Sequence, residues 1–318
     1  MAGKPKVAFY WCACCGGCEE TVVDLAVGIL DLVQAVDIVF WPCAMDFKAA
    51  DVEAMADREL AVALVSGAIR TDEQEHMARL LRRKAACVVA FGACSAHGGT
   101  AALANLTSKK SIFNVSYRCS PTVENPEGTE PICVLRLPAF HETVRKLSDV
   151  VEVDYYLPGC PPTSDSLAEA VQCILQGNLP PRGSVLGSAR SLCETCKRND
   201  SKPESVTMPG IKRVLDVQLD PNTCFLVQGV ICMGPATRGG CGALCVDGNM
   251  PCTGCCGPTD DVCDQGAKMI AALGGILEGD TDELVERQLD RLTDPAGTFY
   301  RYTLSASQLG SRREEAGG

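Results

Sequence analysis

Residues 6–34, KVAFYWCACCGGCEETVVDLAVGILDLVQ, contain the strand–turn–helix unit from which the fold is built. Lys6–Trp11 is a short apolar run that predicts a strand, and it ends at a turn rich in cysteine and glycine over residues 12–18. Apolar residues then recur at helical spacing from Glu19 to Gln34, and a second apolar run, Val36–Trp41, follows. The segment therefore predicts a helix between two strands, with cysteines where the first strand ends.

The same alternation continues to about residue 180. Further apolar runs predict strands at Leu60–Val65, Cys87–Phe91 and Val151–Leu157, and helical patterns cover Thr71–Lys84 and Ser164–Gln176. Strands that are apolar throughout and separated by helices indicate a parallel sheet covered on both faces. We therefore predict an α/β domain over residues 1–180 with a flavodoxin-like, doubly wound parallel sheet.

Four cysteines follow the predicted strands and are flanked by glycine or proline. Cys15 and Cys18 come after the first strand, Cys94 after the fourth and Cys160 after the fifth. Ligands of doubly wound sheets bind beyond the carboxyl ends of the strands, so these thiols are expected to meet there. The alternative is that they are small buried core residues, as most free cysteines are.

The sequence changes character after residue 180, and we predict a second domain over residues 181–318. Pro180–Pro209 is polar and rich in proline and serine, as linkers are, and Asp220–Asp264 is rich in glycine, proline and cysteine. The latter segment is expected to be held mainly by metal–thiolate bonds rather than by an apolar core. Helical spacing returns at Gly266–Leu277 and Asp282–Leu292, and Leu309–Gly318 is predicted to be disordered.

Eight cysteines of the second half come in close pairs. They are spaced as Cys193-x2-Cys196, Cys224-x7-Cys232, Cys241-x3-Cys245 and Cys252-x2-Cys255. Eight thiolates suffice for two sites of four ligands each. With the four thiols at the strand ends they make three sets, which predicts a row of metal clusters and hence electron transfer.

Zinc and iron–sulfur clusters both use paired cysteines, so spacing alone does not separate them. Glycines and prolines crowd the cysteines, as in Gly159-Cys160-Pro161, and provide an apolar shell with free backbone N–H groups that tunes a cluster's potential. A packed α/β domain needs no metal to fold, and structural zinc does not need three centres. These observations favour iron–sulfur clusters.

The amino-acid composition limits the cellular compartment and the kinds of partner that we expect for this chain. The chain has 21 cysteines in 318 residues, begins with no apolar signal segment, and has no apolar stretch near the roughly 20 residues of a membrane span. Dense cysteine without a secretion signal predicts metal binding in the cytoplasm rather than disulfides. The net charge of −11 argues against nucleic acid as a partner.

The motifs resemble those of the small, electron-transferring subunit of nickel–iron hydrogenases. Cys15–Glu20, Gly92–Gly99 and Pro158–Pro162 resemble the loops that hold that family's proximal cluster, and Cys193–Arg198 resembles its first distal-cluster motif. The segment from Cys232 to Cys255 resembles the one that binds the medial cluster. The resemblance extends to about residue 260, and the motif set is nearest to that of the cytoplasmic, viologen-reducing branch.

The resemblance implies three 4Fe–4S clusters. The implied ligands are Cys15, Cys18, Cys94 and Cys160 for the proximal cluster, Cys193, Cys196, Cys224 and Cys232 for the distal cluster, and Cys241, Cys245, Cys252 and Cys255 for the medial cluster. Many family members have a histidine where this chain has Cys193, and many lack the fourth medial cysteine that Cys245 supplies. Cys14 and Asp46 are competing proximal ligands, because relatives use a tandem cysteine pair or an aspartate there.

The resemblance also implies a division of labour between subunits. A large subunit would hold the nickel–iron centre and split hydrogen, and this chain would pass electrons to a 2Fe–2S acceptor subunit and heterodisulfide reductase. A deazaflavin-reducing subunit and a nicotinamide-reducing module are alternative acceptors. The rival from another class is a complex-I-like subunit whose single cluster couples to quinone or ion pumping, and the eight C-terminal cysteines argue against it.

Other polar residues have less specific interpretations. His97 is a candidate to donate a hydrogen bond to a cluster sulfur or to lie in the subunit interface, and is otherwise a residue without a functional role. Glu20 lies near the large subunit's proton route or is a favourable charge at a helix N-terminus. His76 and His141 are expected to be a surface residue and a structural residue. Cysteines in apolar runs are expected to be core residues; they include Cys87, Cys133 and Cys173.

Overall fold

A computed structural model describes residues 3–132, 137–279 and 281–310. The predicted core residue Cys133 and most of the predicted disordered tail, from residue 311 on, lie outside these ranges. The main sheet consists of β1 (Lys6–Trp11), β2 (Asp37–Phe40), β3 (Leu60–Ser66), β5 (Ala85–Phe91) and β7 (Tyr155–Leu157). All of its neighbouring strands pair in parallel, in the order β2-β1-β3-β5-β7. This is the flavodoxin-like order, and it confirms the predicted α/β class.

Helices cover the sheet and continue through the second half. Those of the first half are α1 (Gly17–Val23), α2 (Gly28–Ala35), α3 (Ala49–Glu53), α4 (Asp72–Lys84), α5 (Ala93–His97), α6 (Lys109–Asn114) and α7 (Ser164–Gln176). Those of the second half are α8 (Leu192–Thr195), α9 (Leu244–Asp247), α10 (Gln265–Ile276), α11 (Asp282–Leu289) and α12 (Pro295–Phe299). Within the described residues, no helix has both the length and the apolar character needed to cross a bilayer.

Both faces of the sheet are buried, as the uninterrupted apolar runs predict. On one face Ala63 and Ala90 pack with Leu80 and Leu81 of α4. On the other face strand residues pack against α1, α2 and α7 in a second buried cluster. Because both faces are covered, the edge formed by the carboxyl ends of the strands and their loops stays available for the site.

The long helix predicted over Glu19–Gln34 is two helices, α1 and α2. The break contains Ala26, whose backbone has φ of 51°, in the left-handed region that a right-handed helix cannot continue. Alanine is a strong helix former, and nothing in the apolar spacing marks this break. The helical register therefore stops at Val23 and restarts at Gly28.

A small antiparallel ribbon is absent from the sequence prediction. It pairs β4 (Ile69–Thr71) with β6 (Phe140–Arg145) beside the main sheet. Three residues are too few to show an alternating pattern, so β4 could not be recognised.

The last parallel strand is shorter than predicted. The apolar run begins at Val151, but only Tyr155–Leu157 pairs with β5.

The second half packs into an apolar core that it shares with residues of the first half, contrary to the expectation for Asp220–Asp264. Phe225, Met208 and Met269 are fully buried and belong to a cluster that also includes Ala102 and Val144 from the first half. Scattered apolar residues on irregular backbone build this core without any periodicity. Whether residue 180 is a domain boundary stays a prediction.

Candidate metal centres

Backbone hydrogen bonds hold the loops after the parallel strands together at one edge of the sheet. After β1, the N–H of Cys12 donates to the carbonyl of Ser66 at 2.8 Å. After β5, the N–H of Ala93 donates to the carbonyl of Gly159, in the loop after β7, at 2.7 Å. The loops that carry Cys15, Cys18, Cys94 and Cys160 therefore lie side by side, as predicted.

The first group of thiols, which we call the first set, consists of Cys15, Cys18, Cys94 and Cys160. Burial, together with negative charge on Cys14, Cys160 and Cys15, raises the pKa of Cys94 to about 12. Burial likewise raises the pKa of Cys160 to about 11. Burial raises the pKa of Cys18 as well, and Cys94 and Cys160 add to that shift. Thiolates gathered so closely in a low dielectric need a positive partner, which the iron atoms of a cluster provide.

The backbone beside the first set leaves no room for a side chain. Gly92 has φ of 87°, and a Cβ built on it would lie 2.2 Å from the sulfur of Cys18. Only glycine allows the loop after β5 to approach that sulfur so closely. The close approach at Gly92 and the buried thiols of Cys18 and Cys94 fit a cluster at this edge, where Cys15 and Cys160 are exposed.

The two competing proximal ligands lie in different places. Negative charge on Cys14 is the largest charge effect on both Cys18 and Cys94, so this thiol lies close to the first set. Asp46 instead forms an exposed ion pair with Lys48. The placement favours a thiolate set over the aspartate, and it leaves Cys14 beside the first set as a fifth thiol.

Glu19, next to Cys18 in the sequence, is a buried carboxylate that the sequence analysis missed. It accepts hydrogen bonds from Trp41 Nε1 at 2.5 Å and from Ser66 Oγ at 2.8 Å, and Cys43 Sγ lies 3.6 Å from it. Glu20, which sequence reasoning singled out, is exposed. Two adjacent glutamates give no local sign of which one is buried, although Ser66 ends β3 and Trp41 directly follows β2 at this edge.

The second set consists of Cys193, Cys196, Cys224 and Cys232, and all four line one small cavity. Burial raises the pKa of Cys193, while the Lys202 ammonium beside it lowers that pKa. Burial raises the pKa of Cys232 to about 12, although the N–H groups of Gly234 and Cys252 donate to its sulfur. The predicted distal ligands therefore converge on one cavity.

Arg198 fixes the loop that follows the second set's first pair. Its guanidinium is buried, donates to the carbonyls of Asp220 and Thr223 at 2.9 and 3.0 Å, and lies 4.0 Å from the centre of the Phe225 ring. The backbone N–H of Cys224 donates to Ser201 Oγ at 2.8 Å. Arginine thus joins the Cys193–Cys196 loop to the Cys224 loop through several hydrogen bonds at once.

The third set contains Cys241, Cys245 and Cys255, three of the four predicted medial ligands. Negative charge on Cys255 and Cys241 raises the pKa of Cys245. Cys256, which the sequence analysis did not select, donates hydrogen bonds to the sulfurs of Cys241 and Cys255 and lowers the pKa of both. Burial raises the pKa of Cys252, and negative charge on Cys232 and then on Cys255 adds to the shift, so the fourth predicted ligand lies between the second and third sets.

Two backbone hydrogen bonds connect the sets. The N–H of Cys160, in the first set, donates to the sulfur of Cys255 in the third. The N–H of Cys252 donates to the sulfur of Cys232, in the second set, at 3.3 Å. Because Cys252 and Cys255 belong to one loop, this loop lies between the first set and the second. Within the described residues, no three Cys, His, Asp or Glu side chains are arranged to hold a single metal ion.

The three histidines occupy different environments. His97 has its Nε2 buried against Gly257, directly after Cys255 and Cys256. His76 is exposed on α4 beside Glu53, as expected for a surface residue. His141 lies on the β4–β6 ribbon, 3.1 Å from the Glu75 carboxylate, in keeping with a structural role.

A flavodoxin-like sheet edge carries the first of three adjoining groups of thiols, an arrangement suited to holding metal clusters in an α/β protein. A family model described as the NADH ubiquinone oxidoreductase 20 kDa subunit matches residues 15–174. Over nearly the full length, the chain is 37% identical to the iron-sulfur subunit of the F420-non-reducing hydrogenase of Archaeoglobus profundus, covering 96% of this chain and 98% of that one. It is also 37% identical to the corresponding F420-non-reducing hydrogenase subunit of Methanothermobacter thermautotrophicus, over the whole of both chains. The chain belongs to this family of nickel–iron hydrogenase small subunits and is a subunit of an oxidoreductase.

Solved structures agree with this assignment. An NAD+-reducing [NiFe]-hydrogenase chain is 29% identical, with a TM-score of 0.51, and the match covers 56% of this chain and 94% of that chain. A chain of the [NiFeSe] hydrogenase of Desulfovibrio vulgaris Hildenborough shares the fold, with a TM-score of 0.52, 19% identity, and coverage of 82% of this chain and 96% of that one.

Proposed function

We propose that this subunit carries electrons, one at a time, from hydrogen oxidised in a partner large subunit to an acceptor subunit, through three 4Fe–4S clusters. The proposed ligands are Cys15, Cys18, Cys94 and Cys160 (proximal), Cys241, Cys245, Cys252 and Cys255 (medial), and Cys193, Cys196, Cys224 and Cys232 (distal). Each cluster, when bound, accepts and releases one electron at a potential set by its thiolates, nearby N–H groups and burial.

The hydrogen bonds between the sets carry this proposal. Cys160 donates its N–H to the sulfur of Cys255, and Cys252 donates its N–H to the sulfur of Cys232. A ligand loop of each outer set is therefore in direct contact with a ligand loop of the middle set. This supports a linear relay from proximal to medial to distal, with the chain's own backbone bridging each gap.

An exposed apolar surface near the first set supports a large-subunit interface there. Trp11 is 43% exposed at the end of β1, and its Nε1 donates to the carbonyl of Cys14 at 3.1 Å. On the neighbouring α1–α2 segment, Val23, Val27 and Leu30 are 58%, 81% and 58% exposed. Large apolar side chains grouped in this way are typical of a surface that a partner covers.

For the acceptor, we propose a cytoplasmic 2Fe–2S subunit that feeds heterodisulfide reductase. The full-length relatives are named F420-non-reducing, which favours this route over a deazaflavin-reducing subunit. The match to the 20 kDa subunit of NADH ubiquinone oxidoreductase keeps a quinone-coupled role as the second candidate. That match ends at residue 174, before all eight C-terminal ligands, which such a role does not need.

The first test is the iron content of the complex purified without oxygen. Three 4Fe–4S clusters predict about twelve irons per small subunit, beyond the iron of the large subunit's centre. Iron analysis combined with electron paramagnetic resonance measures the number and type of clusters. About four irons per chain would favour the quinone-coupled candidate, and zinc in place of iron would exclude a relay.

Serine substitutions test the medial ligands one at a time. We expect Cys245→Ser and Cys252→Ser each to weaken the medial cluster and to favour a 3Fe–4S form, because one thiolate is lost. The matched control is Cys256→Ser, which removes a neighbouring thiol that we do not propose as a ligand. If Cys256→Ser loses iron while Cys252→Ser keeps twelve, Cys256 is the fourth ligand and the proposed medial set is wrong.

A further inference from the structure

His97 connects the first set to the third. It ends α5, three residues after Cys94, and residues so spaced lie on the same face of a helix. Its imidazole lies directly on Gly257, two residues after Cys255. A Cβ built on Gly257 would lie 2.2 Å from Nε2 and 2.8 Å from Cδ2 of this ring. The edge of the ring that carries Nε2 therefore contacts the backbone just after the third set's thiols.

The Nε2 atom of His97 is buried and has no hydrogen-bond partner among the described residues. Leaving such a group unpaired costs about 1–3 kcal/mol, and native proteins rarely tolerate it without a reason. Gly257 has φ of 71°, a conformation that favours glycine, and the absence of a side chain there lets the imidazole reach this position. The backbone at Gly257 therefore leaves room for the imidazole but offers no hydrogen-bond acceptor to its Nε2 atom.

A cluster sulfur next to the Cys255 loop would supply the missing acceptor. Burial, with the nearby positive charges of Arg238 and Lys146, lowers the pKa of His97 to about 4. The ring is therefore neutral at neutral pH and carries one N–H. A neutral donor adds no charge to the cluster but still interacts with its sulfur atoms.

We propose that His97 donates a hydrogen bond from Nε2–H to a sulfur of the cluster held by the third set and so raises the reduction potential of that cluster. Reduction adds negative charge to the sulfurs, so a donor stabilises the reduced form more than the oxidised form. His97 thereby favours electron arrival at the middle of the relay. The inference rests on the proposed function, because it requires a cluster at the third set.

Paired substitutions separate hydrogen bonding from packing. In the anaerobic complex, His97→Leu should lower the medial potential, whereas His97→Gln, which keeps a donor of similar reach, should hold it nearer the wild-type value. His141→Gln is the matched control, because that histidine lies on the β4–β6 ribbon beside Glu75. Potentials are read from redox titrations followed by electron paramagnetic resonance. An unchanged medial potential in His97→Leu, or a shift confined to the proximal signal, overturns the proposal.

Isotope labelling provides a test that does not depend on a variant's stability. The chain has three histidines, so incorporating 15N-histidine labels few sites in it. Hyperfine spectroscopy of the reduced wild-type complex should show a histidine nitrogen coupled to the medial cluster, and His97→Gln should abolish that coupling. Its absence in a complex with about twelve irons overturns the role of His97 alone. A wild-type complex without a medial cluster contradicts the proposed function itself.

Discussion

Cys196→Ala is expected to abolish hydrogen-driven reduction of the natural acceptor while hydrogen–deuterium exchange continues. Exchange needs only the nickel–iron centre of the large subunit, whereas reduction of the acceptor needs the complete relay. Cys196 lines the cavity of the second set, and losing one of four thiolates should remove or degrade the distal cluster. Exchange with deuterium gas and reduction of the isolated acceptor subunit measure the two activities separately.

The acceptor must be the natural one, because small dyes can collect electrons from the medial cluster. Cys263→Ala is the matched control: it removes an exposed thiol of the same half that lies in none of the three sets. Loss of exchange as well would mean that the Cys193–Cys196 loop holds the complex together instead of passing electrons. Full activity in both assays would mean that electrons leave the chain elsewhere.

The sequence predicts which loops lie at the functional edge of the sheet, because parallel strands all end at the same edge. Each strand is apolar along its whole length, so its end is visible, and the cysteines at Cys18, Cys94 and Cys160 follow such ends. Parallel pairing then places the three loops together whatever their separation in the chain. The strand–helix alternation was therefore enough to predict the parallel sheet and the meeting of these loops at one of its edges.

The third set was less predictable because its backbone is irregular. Close spacing pairs Cys252 with Cys255, yet negative charge on Cys232 is the largest charge effect on Cys252, and Cys256 lies between Cys241 and Cys255. Gly254, with φ of 96°, changes the direction of the chain between the two members of the pair. Without strand or helix geometry, spacing indicates which thiols can meet but not which sulfur faces which neighbour.

The burial of two polar residues was also not predicted from the sequence. Glu19 and His97 depend on Trp41, Ser66 and Gly257, all distant in sequence. Each is fixed by a contact between loops, which no local pattern encodes. Their burial can be inferred only after the strand ends have been brought together.

Gly92→Ala is expected to remove the proximal cluster and thereby to disconnect the large subunit from the relay. Iron should fall from about twelve to about eight per small subunit, as one four-iron cluster is lost. An added Cβ would lie 2.2 Å from the sulfur of Cys18, so either the sulfur or the loop after β5 must move. Hydrogen-driven reduction should then be lost for dyes as well as for the natural acceptor, unlike the result expected for Cys196→Ala.

Gly177→Ala is a control for alanine at positive φ without a steric clash, and Gly92, with ψ of 162° against 16° at Gly177, is the costlier conformation for alanine. Gly177 has φ of 67°, and a Cβ added there would meet no atom within 4 Å. Alanine at this position therefore costs only the strain of a left-handed residue, about 1–2 kcal/mol. That variant should keep about twelve irons and full activity. If Gly92→Ala also keeps twelve irons and full activity, the sulfur of Cys18 has room to move and the loop after β5 does not determine the proximal site. Loss of iron from both variants would mean that alanine at positive φ is enough to disturb the fold, so that contact with Cys18 is not needed to explain the result.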